Sequence, residues 1–177
     1  MKYLHFILLA YFYVSAPGLP DDSYQDLFII ERSTNANVVC YDAKIGEDGA
    51  FDPKEPVVAY WIMAAEDGRR QSLSALEKMF AYGFTIRRDS SDQSFWMTLV
   101  SQKRREIHIY QEGGKVRAVI LIGGQGAYLR KIHVQVRKTG LLPTVDYVEL
   151  FGHDIVTGRD RYEKLAPEQL RPFGQGK

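Results

Sequence analysis

The sequence predicts a mainly β fold, and three observations lead to that prediction. Short apolar runs recur along the chain, and they are rich in Val, Ile, Tyr, Phe and Trp, the residues that fit a pleated sheet. Gly, Asn and Asp separate the runs as turn formers. Short connections place neighbouring strands antiparallel. We therefore expect an antiparallel meander of about nine strands that closes into a barrel or splits into a sandwich, with the barrel favoured.

The predicted strands follow one another in chain order. They are LFIIER (27–32), NVVCYDA (37–43), PVVAYWIMA (56–64), FTIRR (84–88), SFWMTLV (94–100), EIHIYQ (106–111), VRAVILI (116–122), AYLRKIHVQVRK (127–138) and VDYVELFGHDI (145–155). A last run, RYEKLA, is expected to pair at an edge. The EGGK and GGQG segments each join two runs through glycines, which predicts two β-hairpins.

One helix, at about residues 73–82, is predicted to interrupt the strands. Ser74 and Glu77 have the spacing of a capping box, and Gly83 is expected to end the helix in a left-handed conformation. So short a helix is marginal alone, so we expect its apolar stripe to dock on the sheet, across one mouth of a barrel. That stripe consists of Leu73, Leu76, Met79 and Phe80.

The N-terminal segment, MKYLHFILLAYFYVSAPG, differs in kind from the rest. It has one positive charge at Lys2, then an apolar run, then small residues, which is the layout of a secretory signal peptide. The run is shorter than the roughly 20 residues of a membrane span. We expect residues 1–18 to direct bacterial export to the periplasm or medium, leaving no stable membrane span after cleavage. A buried N-terminal helix or an uncleaved anchor is the alternative.

The rest of the chain divides into a polar leader at residues 19–26, a single β-barrel-like domain at 27–165 and a C-terminal tail at 166–177. The total of 177 residues suits one domain. Lys and Arg number 23 against 22 Asp and Glu, so the formal net charge is +1. A nucleic-acid-binding domain would show a clear basic excess, and we expect no nucleic-acid partner.

No catalytic or cofactor-binding motif is visible. The histidines His108, His133 and His153 have no helical ligand spacing, and strand alternation places the first two on the solvent side. The acidic loop at 42–52 does not match a calcium-binding EF-hand. We therefore assign no catalytic residue, metal or cofactor.

Aromatic residues are the more suggestive feature. They are numerous enough to line an apolar pocket in a barrel, although filling its core is the simpler interpretation. The candidate ligand-binding residues are Trp61, Tyr82, Trp96, His108, Tyr110 and Tyr128.

The charged corner EDGRR joins a predicted strand to the helix. Glu66, Asp67, Arg69 and Arg70 could contact an anion or a protein partner. They could instead form a salt-linked turn that fixes the helix, and that structural interpretation is the simpler one.

Four blocks of sequence carry a family resemblance. LFIIERSTNANVVCYDA, DPKEPVVAYWIMAAEDGRRQSLSALEKMFAYGF, AYLRKIHVQV and YVELFGHDIVTGRDRYEKL occur in that order. Together they resemble the bacterial domain-of-unknown-function family 4833. The resemblance implies an exported, β-rich single domain. It brings no assigned activity and no catalytic residues.

Three functions follow as hypotheses. The first is a non-enzymatic binding module that holds a small apolar or amphipathic ligand inside the barrel. The second is a cell-envelope protein-interaction domain with a solid core, which uses the corner at 66–70. The third, an enzyme with an unrecognised site, is the least favoured because no nucleophile, metal or cofactor spacing is visible.

Overall fold

The computed structural model describes residues 23–89, 93–139 and 142–170. The predicted signal peptide, residues 1–18, lies outside them. Within the described residues one curled sheet is built from β1 (Tyr24–Arg32), β2 (Asn35–Lys44), β3 (Val57–Ile62), β4 (Arg70–Ser72), β5 (Phe84–Arg88), β6 (Ser94–Leu99), β7 (Glu106–Glu112), β8 (Lys115–Ile122), β9 (Gln125–Thr139), β10 (Leu142–Asp154) and β11 (Asp160–Leu165). The mainly β prediction is confirmed, and the run RYEKLA forms the edge strand β11.

Strand β9 is the branch point of the sheet. Its first residues pair with β8, as in Tyr128 opposite Val119, and its later residues pair in parallel with β1, as in Ile132 opposite Ile30. Its other edge pairs with β10 throughout. One arm therefore runs β1-β2-β3-β4 and the other β8-β7-β6-β5. The parallel pairing of β1 with β9 is the feature that a simple meander lacks.

A β-bulge in β9 marks the branch. Leu129 lies opposite Gly152, and Lys131 lies opposite Phe151, so Arg130 is the extra residue. Gly152 is required there, because a Cβ at that position would lie 2.4 Å from the Tyr128 carbonyl oxygen. Pairing with β8 ends before the bulge and pairing with β1 begins after it.

The core lies between the two arms. Phe28 stacks on Tyr41 with ring centroids 4.6 Å apart, and Phe51 meets Phe95 edge-on at 4.9 Å. The buried Tyr41 hydroxyl donates to the backbone oxygen of Tyr82 at 2.6 Å. Phe51 lies between β2 and β3 of the first arm, and Phe95 lies on β6 of the second. The contact between their rings therefore joins the two arms.

The two glycine hairpins are confirmed. Gly113 and Gly114 have φ values of 57° and 76°, and Gly123 and Gly124 have 60° and 78°. Two successive positive φ angles match the twist of the flanking strands in a two-residue turn. The register of β7, β8 and β9 is therefore set locally.

The helix forms with its predicted cap but not with its predicted shape. Helix α1 (Ala75–Glu77) has the capping box between Ser74 and Glu77, and it continues as a π-helical turn, Lys78–Tyr82. The expectation for Gly83 is wrong, because its φ of −68° and ψ of 166° are extended. Glycine is needed there for space, since a Cβ would lie 1.9 Å from the Lys78 carbonyl oxygen.

The predicted docking of the helix stripe is also wrong. Leu73 is buried, but Leu76, Met79 and Phe80 are 67%, 63% and 72% exposed. Leu73 precedes the helix, which begins at Ala75, so its burial does not bring the three helical residues onto the sheet. Tyr82 is buried against the sheet instead.

The chain ends, within the described part, in a short helix α2 (Pro167–Leu170). No helix among the described residues is long and apolar enough to cross a membrane.

Two alanine substitutions distinguish the buried Leu73 from the exposed Phe80. Leu73→Ala removes buried apolar surface and should lower the free energy of unfolding by about 2–4 kcal/mol. Phe80→Ala removes an exposed ring and should change it by less than about 0.5 kcal/mol. Urea unfolding, followed by circular dichroism, measures the free energy of unfolding of both variants. Equal losses would indicate that the stripe docks on the sheet after all.

Candidate functional site

The structure divides the predicted ligand-binding aromatic residues between the core and the outer face of the sheet. Trp61 and Tyr82 are buried and meet edge-on at 5.1 Å. The Trp61 indole Nε1 donates to Glu77 at 3.0 Å. Trp96, His108, Tyr110 and Tyr128 lie instead on the second arm and β9, facing outward. The set predicted to line one pocket is therefore not brought together.

Strand alternation explains the outward placement. In β6 the buried neighbours of Trp96 are Phe95 and Met97, and in β7 those of His108 are Ile107 and Ile109. Successive side chains of a strand point to opposite faces. The core-facing set therefore places Trp96 and His108 on the outside.

The outward side chains are aligned across strands. Trp96 pairs with His108, His108 with Val119, and Val119 with Tyr128. We call Trp96, His108, Val119 and Tyr128 the outer aromatic row. Trp96 and His108 stack with centroids 4.4 Å apart and 19° between planes, and Tyr110 lies 5.1 Å from His108. Cross-strand neighbours on one face form a continuous surface of this kind.

Arginines cover both ends of the outer aromatic row. The Arg87 guanidinium lies 5.6 Å from the Trp96 ring centroid and bonds Glu106 at 3.1 and 3.2 Å. The Arg117 guanidinium lies 4.9 Å from the Tyr128 ring centroid. The row therefore combines aromatic faces with cations, a pairing that strengthens when water is excluded.

A cleft of about 600 Å³ opens beside Trp96 and His108. Leu121 forms part of its wall and is 58% exposed. The Nε2 atom of His108 is buried and has no hydrogen-bond partner among the described residues. An orphan polar atom next to an apolar cleft is a position where a ligand group gains a bond.

Most of the charged side chains of the corner at 66–70 pair with one another. Arg69 bonds Glu66 at 2.8 Å and Asp67 at 3.0 Å. Hydrogen bonds from the Arg69 backbone and side chain lower the pKa of Asp67. Arg70 points elsewhere, with its guanidinium 4.4 Å from the Tyr60 ring centroid. The four charges therefore do not form a single contact surface.

Sequence reasoning missed a buried carboxylate on the outer face of β2. Asp42 is 2% exposed and accepts a 2.5 Å hydrogen bond from the Tyr60 hydroxyl, and Arg70 lies 3.9 Å away. Desolvation raises the pKa of Asp42, and the charge of Asp26 adds to the rise; the bond from Tyr60 and the charge of Arg70 oppose it. Strand alternation indicates only that Asp42 points away from the core. Its burial depends on side chains from the neighbouring strands.

The remaining histidines make ordinary pairs. His133 Nδ1 lies 3.8 Å from Glu31, and His153 Nδ1 lies 2.9 Å from Asp160. Across residues 23–89, 93–139 and 142–170, no three His, Cys, Asp or Glu side chains are grouped so that they could hold a metal ion.

The fold is a β-sheet domain formed by one curled sheet. Aromatic side chains fill its core and also cover its outer face, which is the accessible one. The chain belongs to the family described as Domain of unknown function (DUF4833), whose model matches residues 28–164. The family resemblance of the four sequence blocks is thereby confirmed. Comparison with curated proteins and with solved structures gave no match.

The environment of the Asp42 carboxyl predicts how the stability of the fold changes with pH. Its pKa is raised in the folded state, so between about pH 4 and that raised pKa the folded chain binds more protons than the unfolded chain. The contribution of Asp42 to stability is therefore highest in acid and is lost as the pH rises through that window. Asp42→Asn removes this loss, so the stability of the variant relative to the parent should rise from pH 4 to pH 7.

Urea unfolding at several pH values measures that difference. Glu47→Gln, at an exposed loop position, is the matched control and should show a flat difference. A flat difference for Asp42→Asn as well would contradict the raised pKa.

Proposed function

We propose that this domain is a non-enzymatic binding module whose ligand lies on the outer aromatic row. The ligand is a small amphipathic molecule with a flat apolar part and an anionic group. The observation that carries the proposal is the register of Trp96, His108, Val119 and Tyr128 across neighbouring strands, next to a cleft of about 600 Å³.

The apolar part of the ligand is matched by ring faces. Trp96 and His108 present a stacked pair, and aromatic side chains supply large contact areas at low conformational cost. Leu121 extends the apolar surface at the cleft wall. Exposed apolar surface bordered by polar groups is typical of ligand-binding grooves.

The anionic part is matched by cations at the same surface. Arg87 and Arg117 lie over the terminal rings of the row, and the orphan His108 Nε2 lies between them in the register. Arginines at both ends of the row favour an anionic group on a ligand that lies along it. The chain needs no metal or cofactor for such binding.

The ligand is proposed to bind the outer face of the sheet and not the barrel interior that the sequence suggested. Trp61 and Tyr82 pack against each other in the core, and Trp61 is also held by Glu77. An interior ligand would have to displace those contacts. The outer row presents its rings without such displacement.

A cell-envelope protein-interaction domain is the second candidate. What favours it is the exposed apolar helix face formed by Leu76, Met79 and Phe80, which lies a few residues after the charged corner. Export to the periplasm or medium belongs to both candidates and rests on the signal-peptide pattern of residues 1–18.

The binding proposal predicts that Trp96→Ala weakens capture of an anionic aromatic probe. 1-Anilinonaphthalene-8-sulfonate combines flat rings with a sulfonate, so its affinity should fall at least about fivefold when the stacked pair is removed. Fluorescence titration measures the dissociation constant.

Phe80→Ala is the matched control, because it removes an exposed ring from the helix face instead. Its affinity for the probe should equal that of the parent. Loss of binding in Phe80→Ala with none in Trp96→Ala would reject the outer row and favour the helix face.

A further inference from the structure

A second cleft, of about 450 Å³, opens on the outer face where the two arms separate. β1 and β8 both pair with the same edge of β9 and separate at this point. They do not pair with each other there. The side chain of Gln25 on β1 bridges them, because its amide oxygen accepts a hydrogen bond from the Val116 backbone N–H at 2.9 Å. We call this space the fork cleft. Its polar lining residues are Asp26, Cys40, Asp42, Arg117, Tyr128 and Arg130.

One wall of the fork cleft is acidic. Asp26 and Asp42 are directly opposite each other in the β1–β2 register. Asp26 is exposed and has no ion pair within the described part of the chain. On β2, two residues before Asp42, Cys40 adds a neutral thiol, because burial and the two carboxylates raise its pKa to about 11.

The opposite wall is basic. Arg130 is the extra residue of the β9 bulge, and it lines the fork cleft. Arg130 is exposed and makes a 3.3 Å contact with His153. Arg117 lies over the Tyr128 ring, and its Nε atom lies 3.9 Å from the Glu112 carboxylate.

We infer that the fork cleft binds a small zwitterion, whose ammonium group lies toward Asp26 and Asp42 and whose carboxylate lies toward Arg117 and Arg130. A ligand with a single charge would use only one of these two pairs of side chains, whereas a zwitterion uses both. The volume is within the range of small-molecule sites and fits a ligand of dipeptide size. The Tyr128 ring provides an apolar surface for the ligand's middle.

This site goes beyond the proposed function. The outer aromatic row selects a flat amphipathic ligand at Trp96, whereas the fork cleft selects by two opposite charges. Tyr128 and Arg117 border both. Trp96 does not line the fork cleft, so Trp96→Ala should leave zwitterion binding unchanged even if the row binds nothing.

Three dipeptides test the inference on the parent chain by isothermal titration calorimetry. Ala-Ala is the zwitterion, N-acetyl-Ala-Ala lacks the ammonium group, and Ala-Ala amide lacks the carboxylate. Ala-Ala should bind at least about tenfold more tightly than either blocked form, since each lost charge pair costs about 1.4 kcal/mol or more. The absence of saturable Ala-Ala binding up to about 10 mM would overturn the inference.

Two variants assign the ends of the ligand. Asp26→Asn should weaken Ala-Ala about tenfold and leave N-acetyl-Ala-Ala unchanged, while Arg130→Gln should weaken Ala-Ala and leave Ala-Ala amide unchanged. Both side chains are exposed, so the thermal midpoint should hold. Lys103→Gln, an exposed charge outside the lining, is the control.

Each other pattern counts against the zwitterion. Equal binding of Ala-Ala and one blocked form would reduce the cleft to a site for a single charge and overturn the inference. So would binding of Ala-Ala that neither Asp26→Asn nor Arg130→Gln changes.

Discussion

The structure depends on the way β9 shares one edge between two strands. A regular strand would pair with a single neighbour along that edge, but the bulge at Arg130 ends the ladder with β8 and begins the parallel ladder with β1. Gly152 on β10 makes the close approach possible. Two arms therefore start from one strand, and their inner faces meet around the aromatic core.

The same branch point organises the outer surface. Along the second arm the strands stay in one register, which aligns Trp96, His108, Val119 and Tyr128. Beside β9 the arms part and leave the fork cleft, whose lining includes Asp26 of β1, Asp42 of β2, Arg117 of β8 and Arg130 of β9. Both candidate binding surfaces are therefore consequences of the pairing of β9.

Sequence predicted the parts of this fold that are set locally. The strand runs, the hairpins at Gly113–Gly114 and Gly123–Gly124, and the capping box at Ser74 all depend on residues close together in the chain. The parallel pairing of β1 with β9 joins residues about one hundred positions apart, which no local pattern encodes. The predicted stripe failed because Leu73 precedes the helix and because the π turn buries Tyr82 and leaves Met79 and Phe80 exposed.

The candidate site was predictable in its residues but not in its location. Aromatic content selected Trp96, His108, Tyr110 and Tyr128, and alternation already placed His108 on the solvent side. Their alignment needed the register of four strands, and the burial of Asp42 needed Tyr60 from the next strand. Trp61 and Tyr82 were selected by the same aromatic content, yet both are buried in the core. The alternation of β3 directs Trp61 there, and the π turn directs Tyr82 there.

The central claim is that ligands bind the outer face and not the barrel interior, and the two tryptophans report on these places separately. A ¹⁵N-labelled sample has one indole resonance from Trp96 on the row and one from Trp61 in the core. We would titrate it with a small-molecule extract of the host cells and their medium. The account predicts that the Trp96 indole resonance shifts while that of Trp61 stays in place. A shift of the Trp61 resonance alone would contradict it and return the site to the interior.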